Sequence, residues 1–315
     1  MSEQTRQTRS YLQRRFQEAG LRPDPRHGQN FLIDLNLLDL LVETAQLSAG
    51  DVVLEVGTGL GSLTARLAAR VAAVVTVELD KRLFQLAAEQ LQGLANVTML
   101  NLDVLRNKNN LRPQVLEAVA RRLGEDSQRP FKLVANLPYS VATPLISNLL
   151  LADPSPVSMT VTIQKELADR IAAQPATKDY GALSIWVQSQ CRVSVARLLP
   201  PTVFWPRPKV DSAIIQIVPD PQLRQRLADA VFFHRFVRGL FQHRRKFLRS
   251  GVHSACKPEL DKADVDAVLQ QLQLGPDCRA EQLPIETLLA LTEAVRARIG
   301  TDRSAVASLG GIAPR

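Results

Sequence analysis

Cysteine is scarce in this chain and long apolar runs are missing. The three cysteines, Cys191, Cys256 and Cys278, form no CxxC pair, and the one histidine close to any of them, His253 three positions before Cys256, has no second Cys/His pair to complete a site. Neither a disulfide framework nor a Cys/His zinc site is supported. No apolar stretch reaches the roughly 18 residues that a membrane helix requires. The opening segment, MSEQTRQTRSYLQRRFQEAG, places Arg and Glu at helical spacing where a secretory signal would carry an apolar core and a small-residue cleavage site. The expectation is a cytoplasmic protein with reduced cysteines. Internal repeats and low-complexity tracts are also missing.

What is present fits a globular protein: 45% of the 315 residues are hydrophobic and 22% are charged. That length suits two domains better than one. Cations outnumber anions, giving a net charge of +8 and a pI of about 9.7. The excess favours an anionic partner, and nucleic acid is the commonest one for a cytoplasmic protein.

From Asp51 the sequence alternates short β-rich runs with helical ones: DVVLEVG, SLTARLAARV, AAVVTVELD, KRLFQLAAEQLQ, VTMLNLDV. Strands apolar almost throughout and separated by helices predict a parallel sheet covered on both faces. A polar helical stretch follows to about Gln128, then the strands FKLVANL and SMTVTIQ, and later a Pro-rich turn before VDSAIIQIVP. Residues 220–302 are helical by periodicity. The expected division is a helical extension over 1–27, an α/β domain over 28–219, a helical domain over 220–302 and a flexible tail over 303–315.

The stretch VLEVGTGLGSLT sets Gly57, Gly59 and Gly61 between a strand and a helix. A backbone without Cβ can turn tightly there and approach a ligand. The spacing is not the G-x-G-x-x-G of dinucleotide folds. Glu78 ends the next strand, where a carboxylate can hold two ribose hydroxyls. Asp103 ends the third strand on the same edge, although Asp is equally common as a turn or helix cap. A cofactor with ribose and adenine but no pyrophosphate suits this pattern. S-adenosyl-L-methionine is such a cofactor, with NAD the alternative.

VANLPYS, residues 134–140, ends a strand on the same sheet edge. The Asn136 side chain and the Leu137 carbonyl offer two acceptors side by side, which suit an exocyclic NH₂ group. Accepting both N–H bonds would aim the nitrogen lone pair at a methyl group on sulfur. Pro138 stiffens the turn, and Tyr139 offers a face on which a base can stack. Asn and Pro are also ordinary turn residues, so the motif alone does not require this chemistry.

GQNFL (28–32), LEVGTGLGSLT, VELD, NLPY, KDYGALS and FWPRPKVDSA occur in that order. Together they resemble the ribosomal RNA adenine N6,N6-dimethyltransferases, most closely the KsgA-type small-subunit branch, over residues 27–250. The resemblance implies a Rossmann-like methyltransferase sheet, mostly parallel and of seven strands, with a smaller all-helical C-terminal domain. It implies S-adenosyl-L-methionine contacts at Asn30, Leu32, Gly57, Glu78, Asp103 and Asn136. The target-base pocket would be formed by Asn136, Leu137 and Tyr139, with Phe204 as the opposite stacking face. The implied reaction transfers four methyl groups to two adjacent adenosines in the 3′-terminal hairpin loop of small-subunit (16S) rRNA. The partner would be an immature small ribosomal subunit, approached by a monomer.

The stretch 231–250 reads as a basic helix, carrying Arg235, Arg238, Arg244, Arg245, Lys246 and Arg249 without an acidic residue. Apolar residues would pack inward while the cations bind RNA phosphates. Its second half matches the family's Q-x-R-R-K-x-L-R stretch. The extension before Gly28 and the polar connection over 106–130 exceed what the family core needs. Two alternatives stay open: a large-subunit rRNA methyltransferase giving macrolide resistance, against which NLPY, KDYGALS and QHRRKFLR argue, and a methyltransferase-derived nucleic-acid-binding factor without activity.

Overall fold

The computed structural model describes residues 9–24, 28–124, 129–242 and 245–309, with side chains up to residue 300. In chain order the strands are β1 (Phe31–Leu32), β2 (Val52–Val56), β3 (Ala73–Glu78), β4 (Val97–Asn101), β5 (Leu105–Asn107), β6 (Asn110–Leu111), β7 (Phe131–Asn136), β8 (Ser158–Gln164), β9 (Cys191–Leu199), β10 (Phe204–Trp205) and β11 (Ser212–Pro219). The helices are α1 (Arg9–Glu18), α2 (Leu35–Thr44), α3 (Ser62–Ala68), α4 (Lys81–Gln90), α5 (Pro113–Leu123), α6 (Tyr139–Leu149), α7 (Lys165–Ile171), α8 (Ala182–Gln188), α9 (Pro221–Gln225), α10 (Ala230–Phe241), α11 (Leu248–Ala255), α12 (Lys262–Gln271) and α13 (Ile285–Leu309).

The central sheet has the order β4-β3-β2-β7-β8-β11-β9. Strands β4, β3, β2, β7 and β8 run parallel, and β11 is antiparallel to β8. Every residue of β2 and β3 is buried, as a strand covered on both faces requires. The chain winds outward from β2 to β3 and β4, then returns to β7 on the other side of β2. That reversal is a topological switch point, where the crevice at the carboxyl ends of the strands accepts ligands. The Gly-rich turn follows β2 and Asn136 ends β7, so both flank the switch point. Asp34 and Asp80 cap α2 and α4 with their side chains.

The chain divides into two compact units, Met1–Ala168 with Arg192–Pro219, and Asp169–Cys191 with Asp220–Arg315. The helical unit thus takes in Asp169–Cys191, which periodicity had left in the α/β segment 28–219. There the Tyr180 hydroxyl donates to the Leu283 carbonyl (3.0 Å) and Trp186 packs on Phe233. The described part of the polar connection over 106–130 is a short hairpin, β5 with β6, followed by α5. Helix α13 runs on through Leu309.

The expected basic helix over 231–250 is two helices, α10 and α11. Gly239 of α10 lies so close to α11 that a Cβ there would come 3.1 Å from the Ala255 Cβ, and a Cβ on Gly251 would meet Leu240 at 3.0 Å. Such close packing belongs to two separate helices, the first ending at Phe241 and the second starting at Leu248. Among the described residues no helix is long and apolar enough to cross a membrane.

Candidate active site

A cavity of about 220 Å³ opens at the switch point. Its walls are the strap 28–31, the Gly-rich turn, the end of β3, residues 102–104, Asn136–Pro138, and Ser140 with Val141. None of the described residues lining it is Lys or Arg. The cavity therefore offers no cationic side chain to a bound phosphate group.

Gly57 has φ +90° and Gly59 has φ +59°, conformations that L side chains rarely adopt. A Cβ at Gly57 would come 3.2 Å from Pro138 Cδ, and one at Gly59 would come 3.1 Å from Phe31 Cε1. The turn is thus pressed against both the NLPY segment and the strap, and a side chain at either position would fill the cradle. Glu78 Oε2 accepts from the Gly59 amide and Oε1 from the Asp80 amide, both at 2.9 Å. Burial pushes this carboxyl above the usual carboxylate range, while the two amides pull it back. Each oxygen keeps a lone pair for a hydroxyl. Asp103 lines the cavity, and its Oδ1 also accepts from the Leu105 amide (2.9 Å). It therefore serves as turn cap and cavity wall together.

Asn136 donates through Nδ2 to the Asn30 carbonyl at 2.9 Å. A carbonyl can only accept, so this bond fixes the amide orientation and leaves Oδ1 as an acceptor. Asn30 in turn donates to the Gly28 carbonyl (3.2 Å). Asn30, Gly57, Glu78, Asp103, Asn136 and Leu137 all line the one cavity.

Three residues expected at the site, Leu32, Tyr139 and Phe204, are not among those that line the cavity. Strands β1 and β10 pair with Leu32 opposite Phe204 and Phe31 opposite Trp205. Neighbours in a strand point to opposite faces. Leu32 and Phe204 accordingly sink into a core with Leu38, Val134 and Ile214, so neither the expected cofactor contact nor the opposite stacking face lines the cavity. Phe31 takes the cavity position instead. Tyr139 is half-buried beside the cavity, and its hydroxyl pairs with Ser212 Oγ at 2.7 Å.

In the helical unit Arg235, Arg238, Arg245 and Lys246 are exposed. Arg235 lies over the Phe232 ring. Arg249 is exposed too, but both its Nε and its Nη2 donate to Asp266. An ion pair of that form competes with a phosphate. Arg244 lies outside the described residues.

Two features were not read from the sequence. Glu55 is fully buried behind the turn, in register with Thr76. Its Oε2 accepts from Thr64 Oγ1 (2.6 Å) and Thr76 Oγ1 (2.8 Å), and Oε1 has no partner among the described residues. Burial pushes its pKa up to about 8, against the two hydroxyl bonds. The second feature is the Ser212 partner of Tyr139. Its place in VDSA was visible, but nothing local links it to a residue more than seventy positions away.

Known proteins share this chain's pattern over most of its length. Residues 21–296 match the family model for ribosomal RNA adenine dimethylase. The chain belongs to the ribosomal RNA adenine dimethylase family. It is similar to the ribosomal RNA small subunit methyltransferase A of Halothermothrix orenii, with 38% identity over 87% of this chain and 89% of that protein. The protein of the same description from Lactiplantibacillus plantarum is 39% identical over 88% of this chain and 91% of that one. Among solved structures, a dimethyladenosine transferase from Plasmodium falciparum shares the fold at TM-score 0.69 and 23% identity, covering 84% of this chain and 97% of that one. The 23S rRNA methyltransferase ErmE matches at TM-score 0.56 and 25% identity, covering 84% and 99%.

Proposed function

We propose that this family member uses S-adenosyl-L-methionine to dimethylate the N6 amines of two adjacent adenosines in the 3′-terminal hairpin loop of small-subunit (16S) rRNA. The observation that carries the reading is the anchored Asn136 amide, whose free oxygen shares a cavity with Gly57, Glu78 and Asp103. The small-subunit relatives at 38–39% identity support the choice of RNA over the large-subunit reaction that the ErmE likeness would suggest.

S-adenosyl-L-methionine supplies a methyl group on a positively charged sulfur, which needs no further activation. Glu78 would hold the ribose and Asp103 the adenine side of the cofactor, with the bare backbone of Gly57 allowing close approach. Asn136 Oδ1 and the Leu137 carbonyl would accept the two N–H bonds of the target amine. The chain's main task is then positioning. The adenosine must leave its stack to enter, which a hairpin loop makes cheap. Tyr139, held by Ser212, would carry the extruded base on one face. Arg235, Arg238, Arg245 and Lys246 would neutralise RNA phosphates. The setting for this work is an immature small subunit in the cytoplasm.

The test is incubation of immature small subunits with labelled S-adenosyl-L-methionine, followed by mapping of the modified bases. Label on two adjacent adenosines near the 3′ end of small-subunit rRNA is the expected result. Label on large-subunit rRNA, or on none, would overturn the reading.

A further inference from the structure

No described residue of helix α1 lines the cavity, yet the helix packs on three of the pieces that build it. Its Phe16 meets Phe31 edge-on, with ring centroids 5.4 Å apart at 70°, and Trp205 edge-on at 5.1 Å and 86°. Phe31 and Trp205 stack on each other at 6.3 Å and 30°. Leu12 and Phe16 share a buried cluster with Phe31, Leu60 and Leu83. Of these, Phe31 and Leu83 line the cavity, and Leu60 belongs to the Gly-rich turn.

The Phe31 ring is the piece that moves most directly with the site, since it lies against the bare Gly59 backbone. The Gly59 amide in turn binds Glu78. What holds Phe31 there through the backbone is slight. Strand β1 has two residues and one partner, β10, and a two-stranded pairing is marginal alone. Beside that pairing the Ile33 amide donates to the Val203 carbonyl (2.9 Å), and the strap's side-chain bonds include Asn136 to Asn30 at 2.9 Å, the Asp24 amide to Gln29 Oε1 at 2.8 Å and Gln29 Nε2 to Asp80 Oδ2 at 3.4 Å. Helix α1 is itself tied to α4, by Tyr11 to Gln90 (3.4 Å) and Arg15 to Glu89 (3.5 Å). Helix α4 starts just after Asp80, two residues past Glu78. The extension therefore bridges the strap on one side and the ribose-side wall on the other.

We propose that α1 clamps the strap onto the Gly-rich turn, and that Phe16 is a positioning residue that sets how tightly the cavity holds its nucleoside cofactor. The inference rests on the reading that this cavity is the S-adenosyl-L-methionine site. Without Phe16 the Phe31 ring loses its edge-on support, and the wall that covers Gly59 is free to open.

The experiment is calorimetric titration of the full chain with S-adenosylhomocysteine, for the unaltered protein, Phe16→Ala, Phe16→Leu and Val119→Ala. Val119 is buried in α5, which packs on β2 and β3, and is not in the cluster that joins α1 to Phe31, so Val119→Ala opens a core cavity without removing that support. Phe16→Ala is expected to weaken binding about tenfold, to speed amide exchange across residues 28–33, and to leave the methyl-transfer rate at saturating cofactor nearly unchanged. Val119→Ala should lower the melting temperature without altering the Kd. The proposal is overturned if folded Phe16→Ala binds as tightly as the parent, or if Val119→Ala weakens binding equally. Should Phe16→Ala not fold, Phe16→Leu decides: a weaker Kd supports the clamp and an unchanged one removes it. Failure of the unaltered protein to bind S-adenosylhomocysteine would instead overturn the cofactor reading.

Discussion

The Tyr139 hydroxyl and Ser212 Oγ lie 2.7 Å apart, linking the first turn of α6 to the first residue of β11. Ser212 is fully buried and Tyr139 half-buried, so the bond restrains a ring at the rim of the cavity from a rigid strand. Burial raises the phenol pKa and the serine bond lowers it, with burial prevailing.

If that bond orients the ring, Tyr139→Phe and Ser212→Ala remove one and the same interaction. Each should slow single-turnover transfer by a few-fold, in line with about 0.5–1.5 kcal/mol for one hydrogen bond. The double variant should be no slower than the worse single variant. Independent, multiplying losses would show that the two side chains act separately.

Glu55 makes stability depend on pH. Its folded pKa is about 8 against an ordinary 4.5, because burial with only Thr64 and Thr76 as donors and Glu78 nearby disfavours its charge. The folded state therefore holds a proton that the unfolded state releases between those values. This contribution is fully present below about pH 4.5 and is lost as pH rises through about 8. Glu55→Gln keeps the shape without the proton. Its melting temperature relative to the parent should rise from pH 5 to pH 8.5, by several degrees. A constant difference between the two melting curves over that range would contradict the assignment.

The exposed cations make a salt-dependent prediction. Arg245 and Lys246 stand free of any ion pair among the described residues, whereas Arg249 is engaged by Asp266. Replacing Arg245 and Lys246 with Ala should flatten the slope of log K against log salt for small-subunit RNA by about 1.5. Arg249→Ala should change it least. An unchanged slope in the double variant would remove these two from the phosphate contacts.

Much of this was legible because local chemistry and global position agree. The buried runs around Leu54 and Val75 announce parallel strands, and the turn at Gly57 and the acid at Glu78, linked by their spacing in the sequence, line one cavity. The burial of Leu32 and Phe204 was not legible. Their faces are set by the pairing of two dipeptides more than 170 positions apart, and shifting that register by one residue would exchange them with Phe31 and Trp205. The basic run hid its break for a similar reason. Gly239 and Gly251 look like mild helix defects in sequence, yet they are the contact points between α10 and α11. Nothing in the sequence around Glu55 marks it as a buried acid; its place beside Thr76 does.

The central claim is that Asn136 Oδ1 accepts the target amine. Its most direct test is single-turnover methyl transfer by Asn136→Ala at saturating cofactor, with RNA affinity measured in parallel. Saturation matters because the substitution also releases the Asn30 carbonyl. The predicted result is a rate lower by about 100-fold or more, the size of loss seen when one preorganised hydrogen-bonding group is removed from a transition state, with RNA affinity nearly unchanged. A rate within a few-fold of the parent would contradict the account.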